Sequence, residues 1–357
     1  MKDIGSIFPV YKETFKHVSE EKNDFLDDRI LFSLCREALF VIAAHHKDLN
    51  KKVLIPAYTC QTVITPFVEN GWTCEYYNIH KNLSIDTDDL EKHCLSFNPS
   101  IIVVHPYYGM DLTDSEIHTL RKLHDVGVLI VLDKTQNIFS TQVIDFIDYT
   151  VGSYRKWFPI PDGAYLETHT KLNCELFKGY EENESFCMYQ TDAMYLRGCY
   201  FNTGDERLKA ISIRLNKKAT ADVGYKLVPH KMADISLSII REENFSQNKS
   251  KRLSNFEYLF KNIDESNNIE FVIKNISLIC SAPLYFPLYV RNRDLLQREL
   301  AYNHIYAPIL WPIAMESVLI NDRIEEIYNH ILVIPIDQRY DLEDMDRVVN
   351  VINRWNI

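Results

Sequence analysis

One stretch of the chain carries an acid, a hydroxyl and a primary amine at spacings that could do chemistry together. A run of apolar residues from Val128 to Leu132 ends in Asp133, Ser153 follows twenty residues later, and Lys156 lies three residues beyond Ser153. A short apolar run of this kind predicts a buried parallel strand. An acid at its carboxyl end lies where open α/β sheets bind ligands. We therefore expect the acid, the hydroxyl and the amine to face one pocket.

These three groups are what a pyridoxal phosphate (PLP) site requires. A carboxylate pairs with the pyridinium nitrogen of the cofactor, a hydroxyl binds its phosphate, and a lysine forms a Schiff base with its aldehyde. Ser-x-x-Lys is a weak motif by itself, and it also occurs where a serine nucleophile is paired with a lysine base. The strand that ends in Asp133 and the next strand, which leads into Ser153, favour the PLP interpretation.

The segments around this stretch alternate between strand and helix patterns. Strands are predicted at 52–58, 73–79, 100–109, 128–133 and 147–153, and helices at 31–46 (with Ser33 as N-cap), 59–71, 84–95 and 114–127. Strand–helix repeats joined by short links predict a parallel sheet with right-handed crossovers.

The pattern changes after about residue 160. The polar segment 202–227 is expected to be mobile or interfacial, and 230–264 is expected to form one long helix or two that abut. Further strands are predicted at 283–290 and 330–337, and further helices at 291–305 and 340–355. We therefore predict an α/β protein with an N-terminal arm (1–30), a PLP-binding large domain with a mostly parallel central sheet (31–235) and a smaller C-terminal α+β domain (236–357).

Composition and charge exclude several classes of protein. The chain has 357 residues, of which 46% are hydrophobic, enough for a large core. Its formal net charge of −11 argues against nonspecific nucleic-acid binding. No run approaches the ~18 apolar residues of a membrane-spanning helix, and the N-terminus lacks the apolar segment of a secretory signal. The eight cysteines form no CxxC pair and no zinc-spaced cluster, so we expect no metal site and reduced thiols in a cytoplasmic protein.

Several motifs resemble those of fold-type-I PLP-dependent enzymes, and among them the DegT-type sugar aminotransferases. Asp133 and Gln136 match the family's Asp-x-x-Gln/His, and Ser153 with Lys156 matches its Ser-x-x-Lys. The segment 105–109, His-Pro-Tyr-Tyr-Gly, resembles the family's His-x-Tyr-Gly. The resemblance covers nearly the whole chain and implies that Lys156 is the catalytic lysine, that Asp133 binds the ring nitrogen and that Gln136 binds the phenolic oxygen. Ser153, with Arg155, would bind the phosphate.

Two segments depart from the family pattern. Cys35 and Arg36 fall in a turn where the family has Gly-Thr-x-Ala-Leu and where backbone N–H groups at a helix start would bind phosphate. Cys60 takes the position of the aromatic residue that stacks on the cofactor ring. Tyr58, Tyr107 and Tyr108 are the alternatives for that stacking role. The predicted cofactor-binding residues are therefore Cys35, Arg36, Cys60, Asp133, Gln136, Ser153 and Lys156.

The resemblance implies an aminotransferase that moves an amino group from an amino acid such as glutamate to a nucleotide-linked keto-sugar, in surface polysaccharide or secondary metabolite biosynthesis. It also implies a homodimer, with the segment 185–230 reaching across. Another PLP reaction (dehydratase, lyase or aldolase) and a non-catalytic PLP-binding regulatory protein stay open, because the same core serves them all. A hydrolase is disfavoured, since no Gly-x-Ser-x-Gly occurs. Candidate substrate-pocket residues, which no pattern assigns, are Tyr11, Arg207, Lys226, His230 and Trp311.

Overall fold

The structure is a computed structural model that describes residues 2–15, 26, 29–169, 172, 179–223, 227–313 and 321–355. The strands are β1 (Ile4–Gly5), β2 (Ile30–Phe32), β3 (Lys52–Pro56), β4 (Thr73–Tyr77), β5 (Ile101–Val104), β6 (Leu129–Asp133), β7 (Tyr149–Ser153), β8 (Ala164–Thr168), β9 (Ile269–Phe271), β10 (Tyr285–Val290), β11 (Ile305–Tyr306) and β12 (Ile331–Pro335). The helices are α1 (Cys35–His45), α2 (Gln61–Glu69), α3 (Thr87–Phe97), α4 (Asp114–Asp125), α5 (Glu184–Thr203), α6 (Glu206–Asp222), α7 (Asp234–Arg241), α8 (Phe245–Asn262), α9 (Arg293–Tyr302), α10 (Asp322–His330) and α11 (Leu342–Arg354).

A seven-stranded sheet in the order β2-β8-β7-β6-β5-β3-β4 forms the centre of the fold. Neighbouring strands from β4 to β7 pair parallel, while β8 pairs antiparallel with both β7 and β2. The central strands carry apolar side chains without alternation, and Ile102, Val103, Ile130 and Val131 are fully buried. This pattern is typical of a parallel sheet covered on both faces. The predicted α/β class with a mostly parallel sheet is confirmed.

A smaller antiparallel sheet, β12-β10-β9, lies in the C-terminal part of the chain. Helix α8 packs on it through Phe256, whose ring centroid lies 4.8 Å from that of Phe286 on β10. The N-terminal strand β1 pairs parallel with β11 and thereby joins the first residues to this C-terminal part. The domain limits at residues 30 and 235 stay predictions.

Two local expectations change, and for a third segment one of the two expected alternatives is found. Helix α1 begins at Cys35, because residues 30–32 pair with β8 as a strand; its N-cap is Leu34, not Ser33. The segment 202–227 is helical over Glu206–Asp222, since the Asp205 side chain accepts a hydrogen bond from the first turn of α6. The segment 230–264 forms two helices. No helix in the described ranges is both long enough and apolar enough to cross a membrane.

Candidate active site

Three neighbouring strands of the central sheet bring the predicted chemical groups to one edge. Strands β5, β6 and β7 run parallel, with Val104 opposite Leu132 and Asp133 opposite Val151. His105 directly follows β5, and Lys156 ends the short 3-10 turn that follows β7. The carboxyl ends of parallel strands therefore bring a histidine, an acid and a lysine together. Of these, the acid and the lysine are two of the three groups that the sequence predicted to share a pocket.

These residues line a narrow cleft. Its lining is formed by Cys35, Arg36, Leu39, Cys60, Thr62, Val63, His105, Asp133, Thr135, Gln136, Lys156 and Trp311. Its volume is about 40 Å³, close to the ~30 Å³ that one water occupies in the liquid. A flat heteroaromatic ring therefore enters only when lining side chains such as Lys156 or Trp311 move outward. Lys156 also lines a larger cleft of about 650 Å³, into which it can move.

The carboxylate of Asp133 is buried and held on both sides. Its Oδ1 accepts a hydrogen bond from the Thr135 amide at 2.9 Å, and its Oδ2 lies 3.6 Å from Nδ1 of His105. Burial lowers the pKa of His105, against the attraction of Asp133. The imidazole is therefore neutral near pH 7. With Nδ1–H facing Asp133, its Nε2 accepts from the Thr59 hydroxyl at 2.8 Å.

Gln136 presents an unused hydrogen-bond donor. Its Oε1 accepts from the Tyr108 amide at 3.2 Å, which fixes the orientation of the side-chain amide. Its Nε2 is buried and has no hydrogen-bond partner within the described residues. A buried donor without a partner is costly, of the order of 1–3 kcal/mol. A ligand with an acceptor at this point would remove that cost.

One end of the cleft is positively charged. Helices α1 and α2 both begin there, and Cys35, Arg36, Cys60 and Thr62 of their first turns or caps face the cleft. Among the described residues, neither the Arg36 nor the Arg155 side chain has a hydrogen bond or an ion pair. Burial, followed by the neighbouring charge of Arg36, lowers the pKa of Arg155 to about 10. Two helix N-termini and two unpaired guanidinium groups form an anion site.

The turn that carries Lys156 is fixed by Trp157. Its indole Nε1 donates to the Thr135 carbonyl at 2.8 Å, which ties the lysine turn to the turn after Asp133. The Trp157 carbonyl accepts from Gln338 at 2.7 Å and from Arg252 at 3.3 Å. Lys156 is partly buried, and its amine has no hydrogen bond or ion pair with any described residue. The amine is therefore held near Asp133 but is free to bond to a ligand.

These features fit PLP. The cleft offers an amine, a carboxylate, an amide donor and an anion site, and they are the groups expected around its aldehyde, ring nitrogen, phenolic oxygen and phosphate. Burial raises the pKa of the Cys35 thiol, so that this side chain is neutral. Of the predicted cofactor-binding residues, Ser153 alone does not line the cleft, although it is buried at the end of β7. Its role stays a prediction.

Two threonines of the site were not predicted from the sequence. Thr59 and Thr135 orient His105 and Asp133, and Thr135 also lines the cleft. Both threonines directly neighbour residues of the predicted motifs. Of the substrate-pocket candidates, Trp311 lines this cleft, and it does so from the C-terminal part of the chain.

The remaining candidates lie elsewhere. His230 pairs with Glu37 at 3.1 Å, and Arg207 is exposed and pairs with Asp205 at 2.7 Å. Tyr11 lines a separate surface cavity. Lys226 lies outside the described residues.

Solved aminotransferases share this fold. PseC from Helicobacter pylori, an aminotransferase involved in the biosynthesis of pseudoaminic acid, is 12% identical, with 98% of each chain covered and a TM-score of 0.66. The sugar aminotransferase CalS13 from Micromonospora echinospora is 15% identical, with 99% of each chain covered and a TM-score of 0.65. NtdA from Bacillus subtilis, solved with the bound cofactor PMP, is 18% identical, with 91% of this chain and 72% of that chain covered and a TM-score of 0.64.

No model of a known protein family matches the chain, and no curated protein matches it. At identities this low, the likeness establishes the fold. The fold-type-I expectation from the sequence is thereby confirmed, since the similarity extends over nearly the whole chain.

Proposed function

We propose that this protein is a PLP-dependent aminotransferase that transfers an amino group from an amino acid such as glutamate to a nucleotide-linked keto-sugar. The observation that carries the proposal is the convergence of Lys156, Asp133 and the unpartnered Nε2 of Gln136 on one cleft with an anion site at its end. The fold shared with PseC and CalS13 supports an aminotransferase acting on sugars.

When bound, PLP supplies an electron-accepting ring that labilises the bonds at the amine-bearing carbon of the substrate. The protein residues have separate tasks. Asp133 would accept a hydrogen bond from the protonated ring nitrogen, and the neutral His105 would hold that carboxylate in place. Gln136 Nε2 would donate to the phenolic oxygen, while Arg36 and Arg155 would bind the phosphate.

Lys156 has two tasks in this mechanism. Its Nζ would hold the cofactor through the aldehyde, with loss of water, until the substrate amine replaces it. The freed amine would then take the proton from the substrate Cα and return it on the cofactor side. The turn fixed by Trp157 keeps the amine near this carbon.

The larger cleft supports an anionic substrate. It is lined by six further cationic side chains (Arg155, Arg197, Lys209, Arg252, Arg298 and Arg339), against one acid, Asp337, which Arg339 already binds. Two of the six, Arg197 and Lys209, lie 3.7 Å and 2.9 Å from the buried carboxylate of Asp3, and Arg197 Nε has no hydrogen-bond partner among the described residues. In a chain of net charge −11 this is a local excess of positive charge. Such a surface suits the diphosphate of a nucleotide-linked sugar and the carboxylates of glutamate.

The proposal includes a homodimer in the cytoplasm. Helices α5 and α6 expose Met188, Tyr195 and Ile213 at 53%, 40% and 42%, and exposed apolar side chains favour contact with a second copy. The described cysteines all have free thiols, as in proteins of a reducing compartment. Analytical ultracentrifugation tests the dimer, and a monomer with full activity would exclude it.

Absorbance spectroscopy tests the function. We expect added PLP to give a band near ~420 nm that shifts when glutamate is added, and we expect Lys156→Ala to abolish both the band and amine transfer. Lys134→Ala is the control, because Lys134 is also a partly buried lysine but does not line the cleft. A wild-type band that never shifts with any amino acid would favour a PLP-binding regulator, and a wild-type protein without the band would exclude PLP.

A further inference from the structure

The three tyrosines that the sequence offered for the stacking role do not line the cleft. Tyr58, Tyr107 and Tyr108 are 0%, 2% and 0% exposed, and none of them lines the cleft. Their hydroxyls are used elsewhere: Tyr107 donates to the Tyr58 carbonyl at 2.5 Å, and Tyr58 donates to the Leu310 carbonyl. Cys60 does line the cleft, but a thiol offers no aromatic face. The three tyrosines predicted from the sequence as substitutes are therefore packed in the core behind the cleft.

Trp311 is the one tryptophan, tyrosine or phenylalanine among the described residues that lines the cleft with Asp133 and Lys156. It is partly buried, and its ring centroid lies 5.1 Å from that of Tyr58 at an interplanar angle of 48°. The hydrogen bond from Tyr58 to Leu310 fixes the backbone beside it. The buried tyrosine therefore supports Trp311 from behind, while the indole faces the cleft.

We propose that Trp311 supplies the aromatic face that packs against the PLP ring, in place of the aromatic residue that Cys60 replaces. The inference rests on the proposed function, since it requires that the cleft binds PLP. Because the cleft holds only about 40 Å³, ring binding must move side chains of its lining, and the indole of Trp311, as one of them, would then lie against the ring. Trp311 belongs to the C-terminal part of the chain, so it links that part to the bound cofactor.

Fluorine NMR detects this contact directly. The chain has four tryptophans, so protein labelled with 5-fluorotryptophan should give four resonances, and Trp311→Phe assigns the one that it removes. On addition of PLP we expect the Trp311 resonance to shift. Trp157, which adjoins Lys156, can shift as well, whereas Trp72 and Trp355 do not line the cleft and serve as internal controls. A Trp311 resonance that stays in place while the ~420 nm band forms would overturn the inference.

Affinity provides the second readout. Aromatic contacts of this kind change affinity roughly three- to tenfold, so we expect Trp311→Leu to weaken PLP binding by that factor in an equilibrium titration. Trp311→Phe should stay within about twofold, because it keeps a ring, and Trp355→Leu should leave affinity unchanged. Adding Cys60→Phe to Trp311→Leu should restore binding, since it returns a ring to the cleft from the other side.

The outcomes separate the two proposals. If wild-type protein forms no Lys156-dependent band, the proposed function fails. If the band forms and Trp311→Leu binds PLP like wild type, only the role of Trp311 fails. Should Trp311→Leu not fold, the resonance shift in folded wild-type protein still decides the question.

Discussion

Replacing Arg155 by glutamine should separate binding of the cofactor phosphate from folding. Its pKa falls from 12.5 to about 10 in the folded protein, chiefly through burial and then through Arg36. At 1.36 kcal/mol per pKa unit, the charged side chain opposes folding by about 3 kcal/mol at most. Arg155→Gln should therefore leave the cofactor-free protein at least as stable as wild type.

The same substitution should weaken PLP binding. A hydrogen bond to a charged group contributes about 1.5–3 kcal/mol, so losing the Arg155 contact with phosphate should weaken affinity roughly 10- to 150-fold. Equilibrium titration of the ~420 nm band measures affinity, and urea unfolding of the cofactor-free protein measures stability. Inorganic phosphate should stabilise wild type in the same unfolding assay and have less effect on Arg155→Gln.

Arg339→Gln is the matched control. Arg339 is also a buried arginine, but it donates to Asp337 at 2.6 Å and 2.8 Å, and the attraction of Asp337 raises its pKa. Removing it leaves a buried carboxylate unpaired, which should cost about 3–5 kcal/mol of stability. If Arg155→Gln destabilises the protein as Arg339→Gln does, or if it binds PLP like wild type, the anion-site reasoning is wrong.

Two further predictions follow from buried polar groups. Gln136→Leu should change the stability of the cofactor-free protein by no more than about 1 kcal/mol, because it removes the unpartnered Nε2 but also the acceptor of the Tyr108 amide. The same variant should bind PLP about fivefold more weakly, and unchanged affinity in the titration would contradict the role given to Nε2. His230→Gln should flatten the pH dependence of stability: the hydrogen bond to Glu37 raises the pKa of His230 above 6.5, so this contribution is complete below pH 6.5 and is lost as pH rises through the raised value. Urea unfolding between about pH 5 and 9 measures this pH dependence of stability. A profile of His230→Gln identical to that of wild type would refute the role given to the hydrogen bond between His230 and Glu37.

The parts of the site that the sequence predicted are those fixed by short stretches of chain. Asp133 ends a strand of unbroken apolar residues and Lys156 follows the next strand within three residues, so parallel pairing alone brings the two together. Gln136 lies within the turn after Asp133. For these residues, local pattern and strand order were sufficient.

The parts of the fold and site that the sequence did not predict depend on contacts between residues far apart in the chain. Nothing near Tyr58 indicates that its hydroxyl bonds to a carbonyl more than two hundred residues away, which removes it from the cleft. Helix α6 was missed because a two-helix hairpin with much exposed surface carries little apolar periodicity. The start of α6 depends on the Asp205 cap and on Gly204, which ends α5 at a φ of +72°. Strand β2 was read as helix because its apolar residues continue into α1 without a break.

The two cysteines change where the binding energy for the cofactor comes from. Where the family has Gly-Thr, Cys35 accepts a hydrogen bond from the Thr135 hydroxyl and offers no charge, so attraction for the phosphate falls to Arg36, Arg155 and the helix N-termini. Where the family has an aromatic residue at the start of α2, this chain has Cys60, so the aromatic contact with the cofactor ring falls to Trp311.

Salt should therefore weaken PLP binding through the arginines, whereas changes near Leu310 should weaken PLP binding without any salt dependence. A titration at low and high ionic strength separates the two contributions, and equal salt dependence in Arg155→Gln and wild type would show that the charge of Arg155 has no part in holding the cofactor.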